Sequence, residues 1–350
     1  MKKEFVKHLV LSGSDLKTAL KLIEALPEGG VLFVVTEKNL LLGSLTDGDI
    51  RRSMIDDKVT LKTTVDEVMQ KNPKFIIENN FNVEKIIDLR KEMYKVVPIL
   101  SKDNEIKGVL NFNQIRNLLP LDVVVMAGGK GKRLRPITND LPKPMIKVDG
   151  KPILEHHLSS LFKFGIKNFW ITTNYLSDQI TDYFGDGRSR GSSIQYIKED
   201  KPLGTIGSVS LINKFKSNHV LITNADLLSN ISYEDFYIDF LKSESDISIL
   251  SIPYEVSIPF GVLKLKDKKI ISISEKPRYE YLTNGGVYLF KKNILSLIPE
   301  NTFFNATDLI AKAIKDGYKV DKYIFNGYWR DIGRIEDLEK VRLEYSNLEV

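Results

Sequence analysis

Residues 121–144 read LDVVVMAGGKGKRLRPITNDLPKP, a short apolar run followed by a glycine-rich and basic loop. The run LDVVVM is rich in β-branched residues and predicts a buried strand. Gly128, Gly129 and Gly131 allow tight turns and leave backbone N–H groups open to an anion. Because ligands of open α/β sheets bind where parallel strands end, this stretch predicts an α/β fold with a phosphate site after the strand.

Cations surround the three glycines. They are Lys130, Lys132, Arg133, Arg135 and Lys143. Pro136, Pro142 and Pro144 exclude a regular helix through the segment. Since the residue before a proline avoids the helical region, Lys143 is predicted to be extended and aimed at one phosphate of a nucleotide. The alternative is a basic loop that only faces solvent.

Two better-known phosphate-binding loops do not fit these residues. A P-loop requires Ser or Thr after its Gly-Lys pair, whereas Arg133 stands there, and Met126 occupies the position of the first glycine. A dinucleotide-binding fingerprint requires a third glycine where Leu134 stands, and a helix where the prolines stand.

The composition restricts the class of ligand. The 350 residues carry a formal net charge of +5 and no cysteine. Residues 128–151 hold seven Lys/Arg and two Asp, which accounts for the whole excess. Nucleic-acid binders spread basic residues along a face or tail, so this concentration favours a small phosphorylated ligand and no nucleic acid. Without cysteine, disulfides, thiol catalysis and cysteine-ligated metals are excluded.

The sequence also predicts that the protein lacks a membrane span, a signal region and a histidine site. No apolar run approaches the length of a membrane span, and the lysines of the N-terminus precede no apolar signal region. We therefore expect no membrane partner and a cytoplasmic location. The four histidines show no metal-ligand or triad spacing, and His156-His157 are expected on or beside the packing face of a helix.

The basic loop resembles that of the sugar-1-phosphate nucleotidyltransferases. Their signature is Gly-Gly-x-Gly-x-Arg-Leu-x-Pro-x-Thr followed by Pro-Lys-Pro, which the chain matches from Gly128 to Thr138 and from Pro142 to Pro144. The resemblance covers residues 120–350. It implies an open mixed sheet of the Rossmann-like type, Mg²⁺ as cofactor, and an NTP and a sugar 1-phosphate as substrates.

Two aspartates from distant parts of the chain are candidate metal ligands. Asp226 follows the apolar strand predicted over residues 220–225, and Asp331 lies in YWRDIGR before a predicted final helix. Mg²⁺ prefers one or two carboxylates together with phosphate oxygens and water. The resemblance matches both to the family's Mg²⁺-binding aspartates, although the family often has Gly before the first where this chain has Ala225. Taken singly, Asp226 could be a turn residue and Asp331 a helix N-cap.

The resemblance assigns the remaining site residues. The nucleotide-binding set is Gly128, Gly129, Lys130, Gly131, Arg133, Lys143, Glu199 and Gly204. The sugar-phosphate set is Gly261, Glu275, Lys276 and Asn284. The catalytic set is Arg133, Lys143, Asp226 and Asp331. Lys276 is predicted to be extended because Pro277 follows it. The alternatives are a charged strand end at Glu275-Lys276 and β-bulges at the glycines.

Strands and helices alternate from Leu121 onward, as in an open α/β sheet. Further strands are predicted over residues 169–174, 193–199, 220–227, 247–253, 261–266, 270–276 and 284–290. Helices are predicted over residues 153–164, from residue 177, over residues 307–316 and over residues 334–345.

An internal repeat occupies the first third of the chain. VVTEKNLLLGSLTDGDIRR (residues 34–52) and ILSKDNEIKGVLNFNQIRN (residues 99–117) superpose at an offset of 65 residues. Each copy predicts strand, turn, strand and helix, preceded by an amphipathic helix over residues 16–26 or 83–93. The pair resembles cystathionine-β-synthase-type (CBS) domains, which implies a smaller α/β regulatory domain, a possible adenine nucleotide and assembly into a homo-oligomer.

The repeat predicts one nucleotide site at most. By resemblance, Thr46 and Asp49 at a helix start would contact phosphate and ribose, whereas the second copy has Asn111 and Gln114 there. The alternative is that Thr46 and Asp49 only cap the helix. The boundary is predicted near Leu119-Pro120, which gives domains of residues 1–119 and 120–350.

Together these features predict an enzyme that transfers a nucleotidyl group, with GTP the favoured donor, to an amino sugar, mannose or heptose 1-phosphate for a surface glycan. One alternative is a cytidylyl- or thymidylyltransferase acting on phosphocholine or glucose 1-phosphate. Another is a non-catalytic protein that senses nucleotides.

Overall fold

The computed structural model describes residues 5–26, 30–56, 59–78 and 80–345. The chain divides into two compact units. The first contains the residues up to 119 together with residues 163–165, and the second contains residues 120–162 and those from 166 onward. Each unit is described by itself.

The first unit contains two three-stranded sheets. Its strands are β1 (Leu9–Leu11), β2 (Val31–Val35), β3 (Leu41–Thr46), β4 (Ile76–Ile77), β5 (Val96–Leu100) and β6 (Ile106–Asn111). Its helices are α1 (Leu16–Glu24), α2 (Asp47–Ile55), α3 (Val65–Val68) and α4 (Val83–Lys91). The sheets have the orders β1-β2-β3 and β4-β5-β6, and in each the first pair is parallel and the second antiparallel.

The sequence repeat is also a repeat of backbone register. Gly43 pairs with Val34, and Gly108 pairs with Ile99 at the offset of 65 residues. In both copies the register shifts by a bulge at the next pair. The amphipathic helices predicted before each copy are present as α1 and α4.

The helix predicted at the end of the second copy is wrong. Residues 112–120 contain a single turn, in which the N–H groups of Gln114 and Ile115 donate to the carbonyl of Asn111. The N–H of Arg116 then donates to the carbonyl of Lys163 and not to the preceding turn. The next strand begins directly after a proline, so too few residues remain for a helix to continue.

The strands of the second unit form a seven-stranded mixed sheet and, within the described ranges, three two-stranded sheets. Its strands are β7 (Leu121–Met126), β8 (Lys147–Val148), β9 (Lys151–Pro152), β10 (Asn168–Thr173), β11 (Ser193–Lys198), β12 (His219–Asn224), β13 (Leu227–Ser229), β14 (Ile247–Ser257), β15 (Val262–Lys266), β16 (Lys269–Ser274), β17 (Arg278–Lys291), β18 (Val320–Ile324) and β19 (Trp329–Asp331). The order of the large sheet is β11-β10-β7-β12-β17-β14-β18, and only β17 runs against the other six strands.

Five α-helices belong to the second unit as described. They are α5 (Ile153–Phe162), α6 (Ser177–Phe184), α7 (Tyr233–Lys242), α8 (Ala306–Lys315) and α9 (Ile335–Tyr345). Four of them were predicted, but α7 was not. Its start has a recognisable signal, because Ser232 accepts from the N–H of Asp235 at 3.3 Å. No helix of the described ranges is long and apolar enough to cross a membrane.

β7 is an interior strand of the large sheet and is buried along almost its whole length, which explains its continuous apolar sequence. Asp122 is the polar exception, with no exposed surface. Its carboxylate accepts from the N–H of Ser217 at 2.9 Å and from the side chain of Asn168 at 3.1 Å. Because these bonds satisfy the carboxylate, Asp122 ties neighbouring segments to the sheet and is not free for chemistry.

One part of the second unit extends beyond the large sheet. We call residues 253–282 the β-arm. Its base is the continuation of β14 and β17 past their buried halves, and its tip is the two-stranded ribbon of β15 and β16. None of its residues is buried.

Candidate functional site

A small apolar cluster gathers the candidate site. Its buried members are Leu134, Ile146, Val148, Ile153, Leu228, Ile332, Leu338 and Val341. Leu134 directly follows Arg133, and Ile332 directly follows Asp331. Burial of these apolar neighbours therefore brings polar side chains from distant parts of the chain to one place.

A short ladder holds the two candidate metal ligands together. β13 pairs antiparallel with β19, and Leu227 lies opposite Asp331. The N–H of Ile332 also donates to the carbonyl of Asp226 at 3.2 Å. Asp226 and Asp331 are therefore neighbours, because their backbones belong to one pair of strands. The strand predicted over residues 220–227 is in fact two strands, β12 and β13, that break at Ala225-Asp226.

The ammonium of Lys143 lies between the two carboxylates. Its Nζ donates to Asp226 Oδ2, and Asp331 Oδ1 is 3.8 Å away. Lys143 is buried. An ammonium has three N–H donors, so at least one remains for a further acceptor beside the aspartates.

The backbone of Lys143 differs from the prediction. It does not lie in an extended segment but begins a 3₁₀ turn, Lys143–Met145. The N–H of Ile146 closes this turn by donating to the carbonyl of Lys143 at 3.2 Å. The turn delivers Ile146 into the apolar cluster, and this burial outweighs the preference of a pre-proline residue for extended backbone.

The pair of aspartates carries more negative charge than Lys143 neutralises. Burial, and then the charge of Asp226, raise the pKa of Asp331, while Lys143 and Arg133 act in the opposite direction. Asp226 Oδ1 is buried and has no hydrogen-bond partner among the described residues. A buried carboxylate oxygen that lacks a partner is costly, so this position favours an additional cation or donor. The described residues contain no group of three or more His, Cys, Asp or Glu arranged around a metal position.

His157 is the buried titratable neighbour of this pair. It projects from α5, and its Nε2 is 3.1 Å from Thr223 Oγ1. Burial lowers the pKa of His157 to about 4, and the charge of Asp226 only partly opposes this shift. His157 is therefore neutral at pH 7, and it lies on the packing face of its helix as predicted.

Gly131 is required by the shape of the basic loop. Its φ is +58°, and a Cβ there would lie 3.0 Å from Thr138 Cγ2 and 3.1 Å from Lys143 Cβ. The hydroxyl of Thr138 donates to the Gly131 carbonyl at 2.9 Å. The loop therefore folds back onto the segment that carries Lys143, an approach that a side chain would prevent.

The other cations of the loop are available to a ligand. Lys130, Lys132, Arg133 and Arg135 are exposed, and in the described part of the chain none pairs with a carboxylate. The guanidinium of Arg133 lies beside Gly333, since a Cβ on that glycine would be 3.5 Å from it. Arg133 thus reaches from the glycine loop toward the segment that follows Asp331.

Glu199 lies against the glycine loop. A Cβ on Gly128 would be only 2.9 Å from Glu199 Oε1. Glu199 Oε2 accepts from the N–H of Leu203 at 3.3 Å, which links the loop to the segment containing Gly204. Gly204 itself, with a φ of +79°, packs against the carbonyl of Phe304. Gly129 has no neighbour within 4 Å of its Cβ position and faces open space.

The predicted sugar-phosphate residues fall into two places. Gly261 and Glu275 meet on the β-arm, where a Cβ on the glycine would be 3.0 Å from Glu275 Oε2. Within the described ranges, Lys276 forms no ion pair with Asp226 or Asp331.

Lys276 differs from its predicted extended conformation. Its φ is +45°. Three residues, 275–277, join the end of β16 to the start of β17 on the returning half of the β-arm. A pre-proline residue is disfavoured in the right-handed helical region, and at this junction Lys276 uses the left-handed one.

Asn284 lies nearer to the aspartates. Its Oδ1 accepts from the N–H of Gly286 at 3.0 Å. A Cβ on Gly286 would be 2.6 Å from the side-chain amide of Asn224, and Trp329 Nε1 donates to the Gly285 carbonyl at 3.0 Å. Asn224 and Trp329 were not predicted, although each shares a short segment with a predicted aspartate.

The predicted regulatory residues form a complete capping box in the first unit. Thr46 Oγ1 accepts from the N–H of Asp49 at 3.2 Å, and Asp49 Oδ2 accepts from the N–H of Thr46 at 2.9 Å. Asp49 Oδ1 also accepts from Arg52 at 2.7 Å. The helix-capping role is therefore present. A cavity of about 810 Å³ in the same unit is lined by Thr46 but not by Asp49.

Comparison with known proteins places the second unit in a known family. The family model described as Nucleotidyl transferase matches residues 122–347. The bifunctional protein GlmU of Methanococcus maripaludis is 31% identical over 237 residues, which cover 65% of this chain and 55% of that protein. The chain therefore spans little more than half the length of this relative.

Two shorter proteins are matched over almost their whole length. The D-glycero-alpha-D-manno-heptose 1-phosphate guanylyltransferase of Aneurinibacillus thermoaerophilus is 31% identical over 227 residues, which cover 64% of this chain and 98% of that protein. The crystal structure of HddC from Yersinia pseudotuberculosis complexed with GMP-PN has a TM-score of 0.51 and 27% identity, and the match covers 64% of this chain and 99% of that one.

Proposed function

The chain belongs to the nucleotidyl transferase family, and on this premise we propose that its second unit transfers a nucleotidyl group from an NTP to a sugar 1-phosphate. The observation that carries the proposal is the position of Lys143. Its ammonium lies between Asp226 and Asp331, and its Cβ lies against Gly131 of the basic loop.

The reaction is an in-line displacement at the α-phosphorus. A phosphate oxygen of the sugar 1-phosphate forms the new P–O bond, the α–β bond of the triphosphate breaks, and pyrophosphate leaves. No protein nucleophile is required, since such transfers depend mostly on positioning and charge stabilisation.

The residues of the chain divide this task. The N–H groups from Gly128 to Gly131 and the guanidinium of Arg133 hold the triphosphate. Lys143 directs its remaining N–H donor to the reacting phosphates. Lys276 on the β-arm receives the acceptor's phosphate, and Glu275 a sugar hydroxyl.

Asp226 and Asp331 fit a magnesium ion. Asp226 Oδ1 is buried without a partner, and Asp331 has a raised pKa beside it, so two hard oxygen ligands compete for one ammonium. Bound there with phosphate oxygens and water, Mg²⁺ would neutralise charge on the triphosphate.

For the base and the sugar, we infer GTP and an amino sugar, mannose or heptose 1-phosphate, with a surface glycan as the destination of the product. The supports are the heptose 1-phosphate guanylyltransferase relative and the solved relative bound to GMP-PN. Pyrophosphate release should be measured with four NTPs, each against several sugar 1-phosphates and phosphocholine. Pyrophosphate release with CTP or dTTP alone would make that nucleotide the donor instead of GTP. No pyrophosphate release with any pair of donor and acceptor would contradict the proposal that the second unit is an enzyme.

We further propose that the first unit binds one adenine nucleotide in its cavity and adjusts the activity of the second. The cavity of about 810 Å³ has room for a nucleotide, and its lining includes Thr46, Tyr94 and Lys74. Calorimetric titration of AMP and ATP into the full chain tests this. Heat of binding that survives Lys74→Ala unchanged, or no heat at all, would contradict the assignment.

A further inference from the structure

The β-arm exposes an apolar surface that is unusual for a monomer. Its large apolar side chains are between 38% and 72% accessible; they are Tyr254, Val256, Phe260, Leu263, Leu265, Ile270, Ile271, Ile273, Tyr279, Tyr281 and Leu282. Monomeric proteins rarely expose a continuous apolar surface larger than a few hundred Å². A surface of this kind is normally covered by a partner.

The tip of the β-arm is amphipathic. Leu263 pairs with Ile273, and Leu265 with Ile270. Paired residues share a face and alternate residues of one strand return to it, so these four side chains lie together. The other face carries Val262, Lys264, Lys266, Lys269, Ser272 and Ser274.

The base of the β-arm repeats this division. Tyr254 pairs with Tyr281, and Val256 with Tyr279, which puts four more apolar side chains on one face. Glu255 pairs with Glu280 on the other face. Each half of the β-arm therefore presents an apolar face of four side chains.

We propose that the β-arm docks against the β-arm of a second copy of this chain, antiparallel and related by a two-fold axis. The eight side chains of these two faces, each about half exposed, present on the order of 800 Å², which matches the roughly 800 Å² that each partner buries in a standard interface. Among the described strands, β15 and β16 pair only with each other, so their outer edges can also pair.

Charge selects the antiparallel orientation. The tip, residues 262–274, contains four Lys and one Asp and has a net charge of +3. The base, residues 253–257 and 278–282, contains two Glu and one Arg and has a net charge of −1. Antiparallel docking sets each tip over the partner's base, whereas parallel docking would bring together two tips of +3. Because these charges lie on the faces opposite the apolar ones, they act across the thickness of the ribbons and select the orientation without forming direct ion pairs. A lipid surface could also cover an apolar ribbon flanked by lysine, but it leaves the acidic base unmatched.

The first test is the mass of the full chain by sedimentation equilibrium. We expect the wild type at an even multiple of the chain mass, and Leu263→Ser/Leu265→Ser/Ile273→Ser at half that multiple, with a dissociation constant raised at least about tenfold. The matched control is Leu241→Ser/Ile314→Ser, which changes similarly exposed side chains on α7 and α8 and should leave the mass unchanged.

The second test exchanges the charges. The variant Lys264→Glu/Lys266→Glu changes the net charge of the tip from +3 to −1. We expect it to raise the dissociation constant several-fold. The change is modest because interactions between exposed charges are weak. Adding Glu255→Lys/Glu280→Lys changes the net charge of the base from −1 to +3 and should restore assembly.

Three results would overturn the proposal. They are a wild type that is monomeric at all concentrations, an assembly that the serine variant leaves intact, and a monomer that binds anionic phosphatidylserine vesicles through this face. The proposal does not rest on catalysis, because every readout is a mass or a binding isotherm.

Discussion

At the residue scale, three charged side chains dominate the candidate site. Lys143, Asp226 and Asp331 come from three separate segments, and each is followed within a few positions by a residue of the same apolar cluster. We expect Asp226→Asn and Asp331→Asn each to lower turnover on the order of 10²–10³-fold, because each removes an electrostatic contact made in the transition state. The measurement is pyrophosphate release at saturating Mg²⁺. Normal turnover in a folded variant would remove that aspartate from the site.

Gly131 and Gly129 offer a matched pair within one loop. Gly131→Ala should lower the free energy of unfolding by about 1–3 kcal/mol, because its left-handed backbone disfavours a side chain and the new Cβ meets Thr138 and Lys143. Gly129→Ala should change it little, since nothing lies within 4 Å of its Cβ position. Urea denaturation of both variants measures the difference. Equal losses would mean that the loop is not folded onto Lys143.

His157 predicts a pH dependence of stability. Its pKa falls from 6.5 to about 4 on folding, so below pH 6.5 the unfolded chain binds a proton that the folded chain does not. Stability should therefore be complete above pH 6.5 and fall as the pH drops toward 4, by on the order of 3 kcal/mol from this residue. His157→Gln keeps a polar partner for Thr223 and should flatten that part of the profile in urea titrations. An unchanged slope would assign the acid sensitivity to other groups.

At the element scale, α2 shows what a single cap contributes. The sequence left Thr46 and Asp49 with two roles, and the structure uses both residues to close the first turn of this helix. In the second copy Asn111 stands where Thr46 does, but its side-chain Oδ1 accepts from the N–H of Asn113 at 2.9 Å, one residue earlier than in the capping bond of Thr46, and no helix follows.

Thr46→Ala should therefore destabilise the first unit by about 1 kcal/mol, through the loss of the cap. Asn111→Ala is the matched control and should have a smaller effect, because no helix end depends on it. The two units are expected to unfold in separate steps, so the first transition must be followed by itself. A larger loss of stability in Asn111→Ala than in Thr46→Ala would contradict the assignment of the helix cap to Thr46.

At the scale of the whole molecule, the division near Pro120 separates the cavity from the candidate active site. Every residue assigned to nucleotidyl transfer lies in the second unit, so a chain of residues 120–350 should turn over at a similar order of magnitude to the full chain. It should also be less stable by about 1–3 kcal/mol, because the carbonyls of Lys163 and Phe164 lose the donors Arg116 and Leu119.

Turnover and thermal unfolding of the shortened chain measure both effects. A truncated chain that folds but does not react would show that the first unit helps to build the active site. In that case the proposed division of labour would be wrong.

The local features were determined by the sequence alone. Glycine spacing, β-branched runs and helix caps act over a few residues, so they located the basic loop, the repeat, β7 and most helices. The same short-range rules failed where local preference was overridden. Lys143 entered a 3₁₀ turn to bury Ile146, Lys276 adopted a positive φ at the junction of β16 and β17, and the second repeat ended without its helix.

Only the tertiary structure decided which side chains meet. The pairing of β13 with β19 joins Asp226 to Asp331, and no local pattern encodes a ladder between such distant residues. The position of Lys143 between them, the partnerless oxygen of Asp226 and the apolar surface of the β-arm likewise depend on long-range packing. The physical reason is that burial of an apolar cluster selects contacts by shape and volume across the whole chain, whereas propensity acts only between near neighbours.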